Sequence, residues 1–172
     1  MSRYENTVAL ITGAGQGIGR AIAQKLAKDG ALVTVLDIDE GNGRKTVEML
    51  KQDGHQSHFV RADITNFSEV EEAFFRTAEK LGPIELLINN AALSIAGNLE
   101  SISLDAWHRE IDVNLNGTYH CIRAIVPAMT EAGGGVIINI SSVNGVRYFG
   151  NPSYSAAKAG IINLTQSVAS EF

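Results

Sequence analysis

Apolar residues in this chain follow two alternating patterns. Short, mostly apolar runs occupy 7–11, 32–36, 58–60, 84–88 and 136–140, with Thr34 and Glu85 inside two of them, and each runs into a polar residue. Such runs predict strands buried on both faces, because a strand with one wet face would alternate. The stretches between them carry apolar residues every third or fourth position and predict helices. Ile18, Ile22 and Leu26 mark a helix over 18–28, and Val47 and Leu50 mark a polar surface helix over 41–52. Val70, Phe74 and Leu81 mark a third over 67–81, stopped by Gly82-Pro83. Ser103 caps a single long helix carrying Leu104, Trp107, Ile111, Leu115, Ile122, Val126 and Met129, ended by Gly133-Gly134-Gly135. The last helix opens with Asn151 as N-cap and Pro152 at its first position, with Ala157, Ile161, Leu164 and Val168 on one face.

Strands that alternate with helices, with no hairpin joining them, imply an α/β fold: a doubly wound parallel sheet of Rossmann type forming a single domain over 1–172. Sites in such sheets lie at the carboxyl ends of the strands. The final helix is still amphipathic at Phe172, so the expectation is a sheet truncated after its fifth strand and the start of the following helix.

Composition narrows the function. With 45% hydrophobic residues and a net charge of −5, the chain reads as globular and mildly acidic, with no Lys/Arg cluster for nucleic acid. No apolar run approaches a membrane span of about 20 residues, and the N-terminus shows no signal peptide. Cys121 stands alone, so the expected state is a buried or half-buried thiol in a reducing compartment, with the cytoplasm as default. His55 and His58 lack a partner at ligand spacing, so no metal site is expected, and His108 and His120 should face solvent or a subunit.

Three candidates for chemistry remain. Gly13, Gly17 and Gly19 lie between the first strand and the first helix in a G-x-x-x-G-x-G spacing that includes Gln16 and Ile18. Backbone without Cβ atoms, followed by helix N–H groups, suits a pyrophosphate. Asp37, ending the second strand, is placed to hydrogen-bond an adenosine ribose, and its charge would repel a 2′-phosphate, which favours NAD over NADP. Tyr154 and Lys158 share a helix face, four residues apart. A phenol used as a base near neutrality must drop by roughly 3 pKa units, about 4 kcal/mol. A cation about 4 Å away can supply that much.

Together with Asn89-Asn90-Ala91, Asn114 and Ser141-Ser142, these motifs resemble the short-chain dehydrogenase/reductase family over essentially the whole chain. The resemblance implies an NAD-dependent oxidoreductase moving a hydride between nicotinamide and a small secondary alcohol or ketone. It assigns Tyr154 as acid/base, Lys158 as the group that lowers its pKa and holds the ribose, and Ser142 as the donor to the substrate oxygen. Ser142 is preferred over Ser141 as the second of the pair, directly before Val143-Asn144-Gly145. Asn114 would hold a water linking Lys158 to solvent, Asp63 would contact the adenine with Val113 beside it, and Asn90 and Ala91 would line the cofactor cleft. Ala92 stands where the family usually has glycine, which matters if the backbone there needs positive φ. A homo-oligomer, paired through the helices starting near Ser103 and Pro152, is expected on the same ground. The rival reading is a dinucleotide-binding module, or a truncated product, without turnover. An epimerase-like relative fits the glycine spacing and Asn114 less well.

Overall fold

A computed structural model describes residues 3–95 and 97–172. Five strands, β1 (Val8–Thr12), β2 (Leu32–Asp37), β3 (Ser57–Arg61), β4 (Leu86–Asn89) and β5 (Val136–Asn139), form one parallel sheet in the order β3-β2-β1-β4-β5. Register is fixed by pairs such as Leu10 with Thr34 and Leu87, and Ile88 with Ile138. The helices are α1 (Gly17–Lys28), α2 (Glu40–Gln52), α3 (Phe67–Leu81), α4 (Leu104–Ile111), α5 (Gly117–Glu131) and α6 (Pro152–Glu171). None of them is long and apolar enough to cross a membrane.

The two faces of the sheet explain the mostly apolar runs. Val8, Leu10, Leu36 and Leu87 point to a core shared with Val70 and Phe74 of α3 and Cys121, Ile125 and Met129 of α5. Ala9, Ile11, Val33, Val35, Leu86 and Ile88 point the other way, onto Ala23 and Leu26 of α1 and Val47 and Leu50 of α2. Neighbouring residues of one strand therefore feed opposite layers, and a polar residue at either parity would be buried. β5 is an edge strand whose Val136 and Ile138 are exposed.

The expected long helix is present, helical without a break from Leu104 to Glu131, but it is not α-helical throughout. A π-helical turn at Asp112–Asn116 separates α4 from α5. A π turn inserts one residue into the helical repeat, which rotates the following positions and displaces the inward stripe. The buried positions are Glu110, Asn114, Gly117, Thr118, Cys121, Ile122, Ile125 and Met129, whereas of those read as inward Trp107, Ile111, Leu115 and Val126 are half-buried and Leu104 is exposed. On α6, Ala157 and Ile161 are buried as expected, with Leu164 and Val168 half-buried. The remaining boundaries differ by a residue or two, as helix and strand ends commonly do.

Candidate active site

With all strands parallel, their carboxyl ends share one edge of the sheet. β1 has β2 on one side and β4 on the other, so the chain's winding reverses there, and a crevice opens at such a point. It encloses about 730 Å³ and is lined by Gly13, Gln16, Ile18, Asp37, Asp63, Asn90, Ala91 and Val113, among others. Of the residues assigned from sequence to the nucleotide, Gly17 and Gly19 of the same loop and Tyr154 and Lys158 of α6 are not part of this lining.

The loop is built for close approach. Gly13 has φ +63°, and a Cβ there would come within 2.8 Å of the Ala91 Cα. At Gly19 a Cβ would collide with the Gly13 carbonyl and the Asn90 amide. The Thr12 hydroxyl accepts from the N–H groups of Asn90 and Ala91, both at 3.0 Å. The Asn90 amide in return donates to the carbonyls of Thr12 and Gly13, at 3.0 and 3.1 Å. Asn90 is thus a clamp between β4 and the glycine loop. Thr12→Val, which keeps the shape but removes the acceptor, should leave two backbone N–H groups unpaired. It should lower unfolding free energy by about 2 kcal/mol or more, read from urea denaturation at unchanged m-value. An unaltered midpoint would show that the clamp carries no stability.

Asp39, Asn66, Ser103 and Asn151 cap α2, α3, α4 and α6 through their side chains, but Gln16 gives α1 no such bond. The first N–H groups of α1 therefore suit an external anion, and together with the missing Cβ atoms they fit a dinucleotide pyrophosphate.

Asp37 is fixed from both sides. Its Oδ2 accepts from the Gly15 N–H at 2.8 Å and its Oδ1 from the Asp39 N–H at 3.0 Å, and each carboxylate oxygen keeps further acceptor capacity toward the crevice. Gly15 lies outside the glycine template read from sequence, although it sits within the same loop. The Arg20 guanidinium is committed to the Gly15 carbonyl and, at 2.9 Å, to the Thr46 hydroxyl. Asp63 accepts through Oδ1 from the Thr65 N–H and hydroxyl, at 2.9 and 2.8 Å. Among the described residues its Oδ2 accepts from none, which suits a donor amine. Ala92 lines the same crevice without positive φ, so its departure from glycine costs no backbone strain.

The second group of residues gathers where β5 meets α6. Lys158 is 2% exposed and its Nζ donates to the Ile140 carbonyl at 2.7 Å. The ammonium lies 5.5 Å from the centroid of the Tyr154 ring. The two side chains converge, as the i, i+4 spacing requires. The Ser141 hydroxyl donates to the Lys158 main-chain carbonyl at 2.8 Å, whereas the Ser142 hydroxyl accepts from the Asn144 N–H at 3.2 Å and keeps its own proton uncommitted. Asn151 caps α6 as expected, in the left-handed conformation with φ +51°, accepting from the Tyr154 N–H at 3.1 Å.

Asn114 is fully buried in the π turn. Its Oδ1 accepts from the Leu93 N–H at 3.1 Å, and its Nδ2 donates to the carbonyls of Leu93 and Glu110, at 2.7 and 2.8 Å. Leu93 lines the crevice, so this amide ties the nucleotide side to the helix pair. Glu110 escaped the sequence reading. It is fully buried and accepts from the Ile95 N–H, from the Asn151 amide at 2.8 Å and from the Ser153 hydroxyl. The available signal was a carboxylate one turn before Asn114, inside a stripe otherwise read as apolar.

Burial pushes the Lys158 ammonium down to a pKa of about 8 from an ordinary 10.5. The folded chain therefore sheds this proton before the unfolded one does, and the contribution of Lys158 to stability rises with pH between about 8 and 10.5. Below that window the buried charge costs on the order of 3 kcal/mol. Lys158→Met should be more stable than the parent at pH 7, with a flatter melting temperature between pH 8 and 10. Equal stability of the two at pH 7 would refute the buried-charge penalty.

The other singled-out residues are quieter. His108 is exposed and lines the crevice, whereas His120 is half-buried with its Nδ1 2.9 Å from the Ile64 carbonyl, so only part of the expected solvent-facing placement holds. Burial raises the Cys121 thiol to about 12, and it stays protonated. Among the described residues no His, Cys, Asp and Glu side chains group as a metal site.

A family model described as short chain dehydrogenase matches residues 7–172. An uncharacterized oxidoreductase of Thermotoga maritima is 40% identical over 166 residues, covering 96% of this chain and 65% of its own length. A 3beta-hydroxysteroid dehydrogenase of Mediterraneibacter gnavus is 36% identical over 174 residues, covering 100% and 63%. The crystal structure of levodione reductase superposes with a TM-score of 0.94 at 29% identity, covering 99% of this chain and 67% of that one. The chain thus spans just under two thirds of the length of those two relatives.

Proposed function

Because the chain belongs to the short chain dehydrogenase family, we propose that it carries the cofactor crevice and proton-transfer residues of an NAD-dependent oxidoreductase acting on a secondary alcohol or ketone. The observation that carries this reading is the Lys158 ammonium, held by the Ile140 carbonyl just past the carboxyl end of β5, 5.5 Å from the centroid of the Tyr154 ring.

Gly13, Gly17 and Gly19 with the first turn of α1 would hold the pyrophosphate, Asp37 the adenosine ribose, and Asp63 and Val113 the adenine. Asn90 and Ala91 form the crevice wall. Bound there, the dinucleotide supplies the hydride acceptor or donor. Tyr154 passes the proton at its phenol oxygen, and Lys158 stabilises negative charge on that oxygen and binds ribose hydroxyls. Ser142 has a hydroxyl proton to donate to the substrate oxygen as charge develops there, whereas Ser141 has spent its own on Lys158. The Asn114 amide is fully engaged, so a relay water would sit on its main-chain carbonyl, which already accepts from the Thr118 hydroxyl at 2.9 Å. Asp37 disfavours a ribose 2′-phosphate, and NAD is the matching cofactor. Assembly into a homo-oligomer through α4 and α6, and residence in a reducing cytoplasm, complete the reading.

The test is label transfer. The complete protein, incubated with NADH deuterated at nicotinamide C4 and a mixture of ketones, should place deuterium on the carbinol carbon of at least one product by mass spectrometry. No labelled alcohol from a broad mixture would favour the rival reading, a dinucleotide-binding module without turnover.

A further inference from the structure

Glu110 is fully buried, has no cationic partner within the described residues, and accepts hydrogen bonds from three donors in two segments that are far apart in sequence. One donor is the Ile95 N–H, in the segment between β4 and α4. The second is the Asn151 amide at 2.8 Å, and the third is the Ser153 hydroxyl. Asn151 also donates to the Ile95 carbonyl at 2.8 Å, and its own N–H donates to the Gly97 carbonyl at 3.2 Å. Its Oδ1 accepts from the Tyr154 N–H at 3.1 Å and lies 3.1 Å from the Ser153 hydroxyl.

A buried carboxylate is costly to keep out of water unless its hydrogen bonds are made, and two of the three made here come from Asn151 and Ser153, within three residues of the tyrosine. Asn151 holds φ +51°, a conformation that a non-glycine residue keeps only when its surroundings impose it. Without Glu110, the Asn151 amide loses one of its acceptors and Ser153 loses its carboxylate. The first turn of α6, and with it the direction in which the Tyr154 ring leaves the helix, is then no longer fixed. Asn114, one turn along the same face, pins Leu93 on the crevice wall in the same way. The two residues thereby set the crevice wall and the tyrosine helix against a common support.

Resting on the reading of Tyr154 as the proton-passing group, we propose that Glu110 is a positioning residue. Through Asn151 and Ser153 it fixes the first turn of α6 so that the Tyr154 phenol meets the substrate oxygen, and it contributes to turnover without touching substrate or cofactor.

The experiment compares wild type with Glu110→Ala, Glu110→Gln, Ser153→Ala and Tyr154→Phe in the complete protein. It measures turnover per cofactor-binding site at saturating substrate, alongside the cofactor dissociation constant. Misplacing a reacting group by about 1 Å can cost about 100-fold in rate, and that is the loss expected for Glu110→Ala at an unchanged cofactor constant. Glutamine can accept from Ile95 and Asn151 and donate to a Ser153 hydroxyl turned toward Asn151, so Glu110→Gln should recover most of the loss. A purely structural role would lower the number of binding sites and leave turnover per site at the wild-type value, and that result overturns the proposal. So does a glutamine variant as slow as the alanine one. If Glu110→Ala does not fold, Ser153→Ala decides: reduced turnover per site supports the proposal, and wild-type turnover overturns it. Full activity in Tyr154→Phe would instead sink the underlying reading of the tyrosine.

Discussion

Tyr154→Phe should bind NAD as the parent does and lose about 10² to 10⁴ in turnover. The phenol oxygen is the atom removed. The ring stays, and with it the stacking of the Lys158 ammonium over its face, 5.5 Å from the centroid. None of the hydrogen bonds that hold the first turn of α6 passes through the phenol: Asn151 caps the turn through the Tyr154 backbone N–H, and Ser153 anchors it to Glu110. The substitution therefore isolates proton transfer from fold and from cofactor affinity. Pre-steady-state absorbance of the reduced nicotinamide, with a cofactor titration on the same sample, separates the two. Turnover at the wild-type rate would remove Tyr154 from its role.

The second large effect is expected at Asp37. A carboxylate and a phosphate about 4 Å apart at intermediate dielectric repel by on the order of 4 kcal/mol, nearly a thousandfold in binding. Two backbone N–H groups hold this carboxylate in place, so it cannot simply swing aside. The guanidinium of Arg20, which could have offset the charge, is occupied by the Gly15 carbonyl and Thr46. Asp37→Ala should narrow the ratio of kcat/KM values for NAD over NADP by up to that factor, with most of the change in KM. An unchanged ratio would show that Asp37 does not read the ribose.

The sheet was legible because strands such as β1 and β4, buried on both faces, are written as mostly apolar runs, and the five runs match the five strands in order, although β5 is exposed on one side. The glycine loop and Asp37 were legible because their chemistry is local: a strand end, a tight turn and a helix start. Asn151 was readable as a cap for the same reason. The π turn was not, since apolar spacing reports the average period of a helix and does not register one inserted residue. The buried stripe runs through Glu110 before the turn and Asn114 within it, and leaves Ile111 and Leu115 half-buried. Glu110 was invisible for a different reason. A carboxylate is normally exposed, and what makes this one tolerable inside is a set of donors 15 to 43 positions away in sequence. The clamp of Thr12 on Asn90 and Ala91 spans a longer gap, 78 and 79 positions, and joins two strands whose adjacency only the sheet order reveals.

The account turns on Lys158. Its ammonium is buried, and burial lowers its pKa, a cost to the fold that the proposed role in proton transfer would explain. The most direct measurement is the single-turnover rate of Lys158→Met in the complete protein at saturating NAD, taken beside its unfolding free energy at pH 7. The account predicts a variant that is more stable than the parent and slower by about 100-fold or more. A variant that turns over as fast as the parent once NAD is saturating would contradict it.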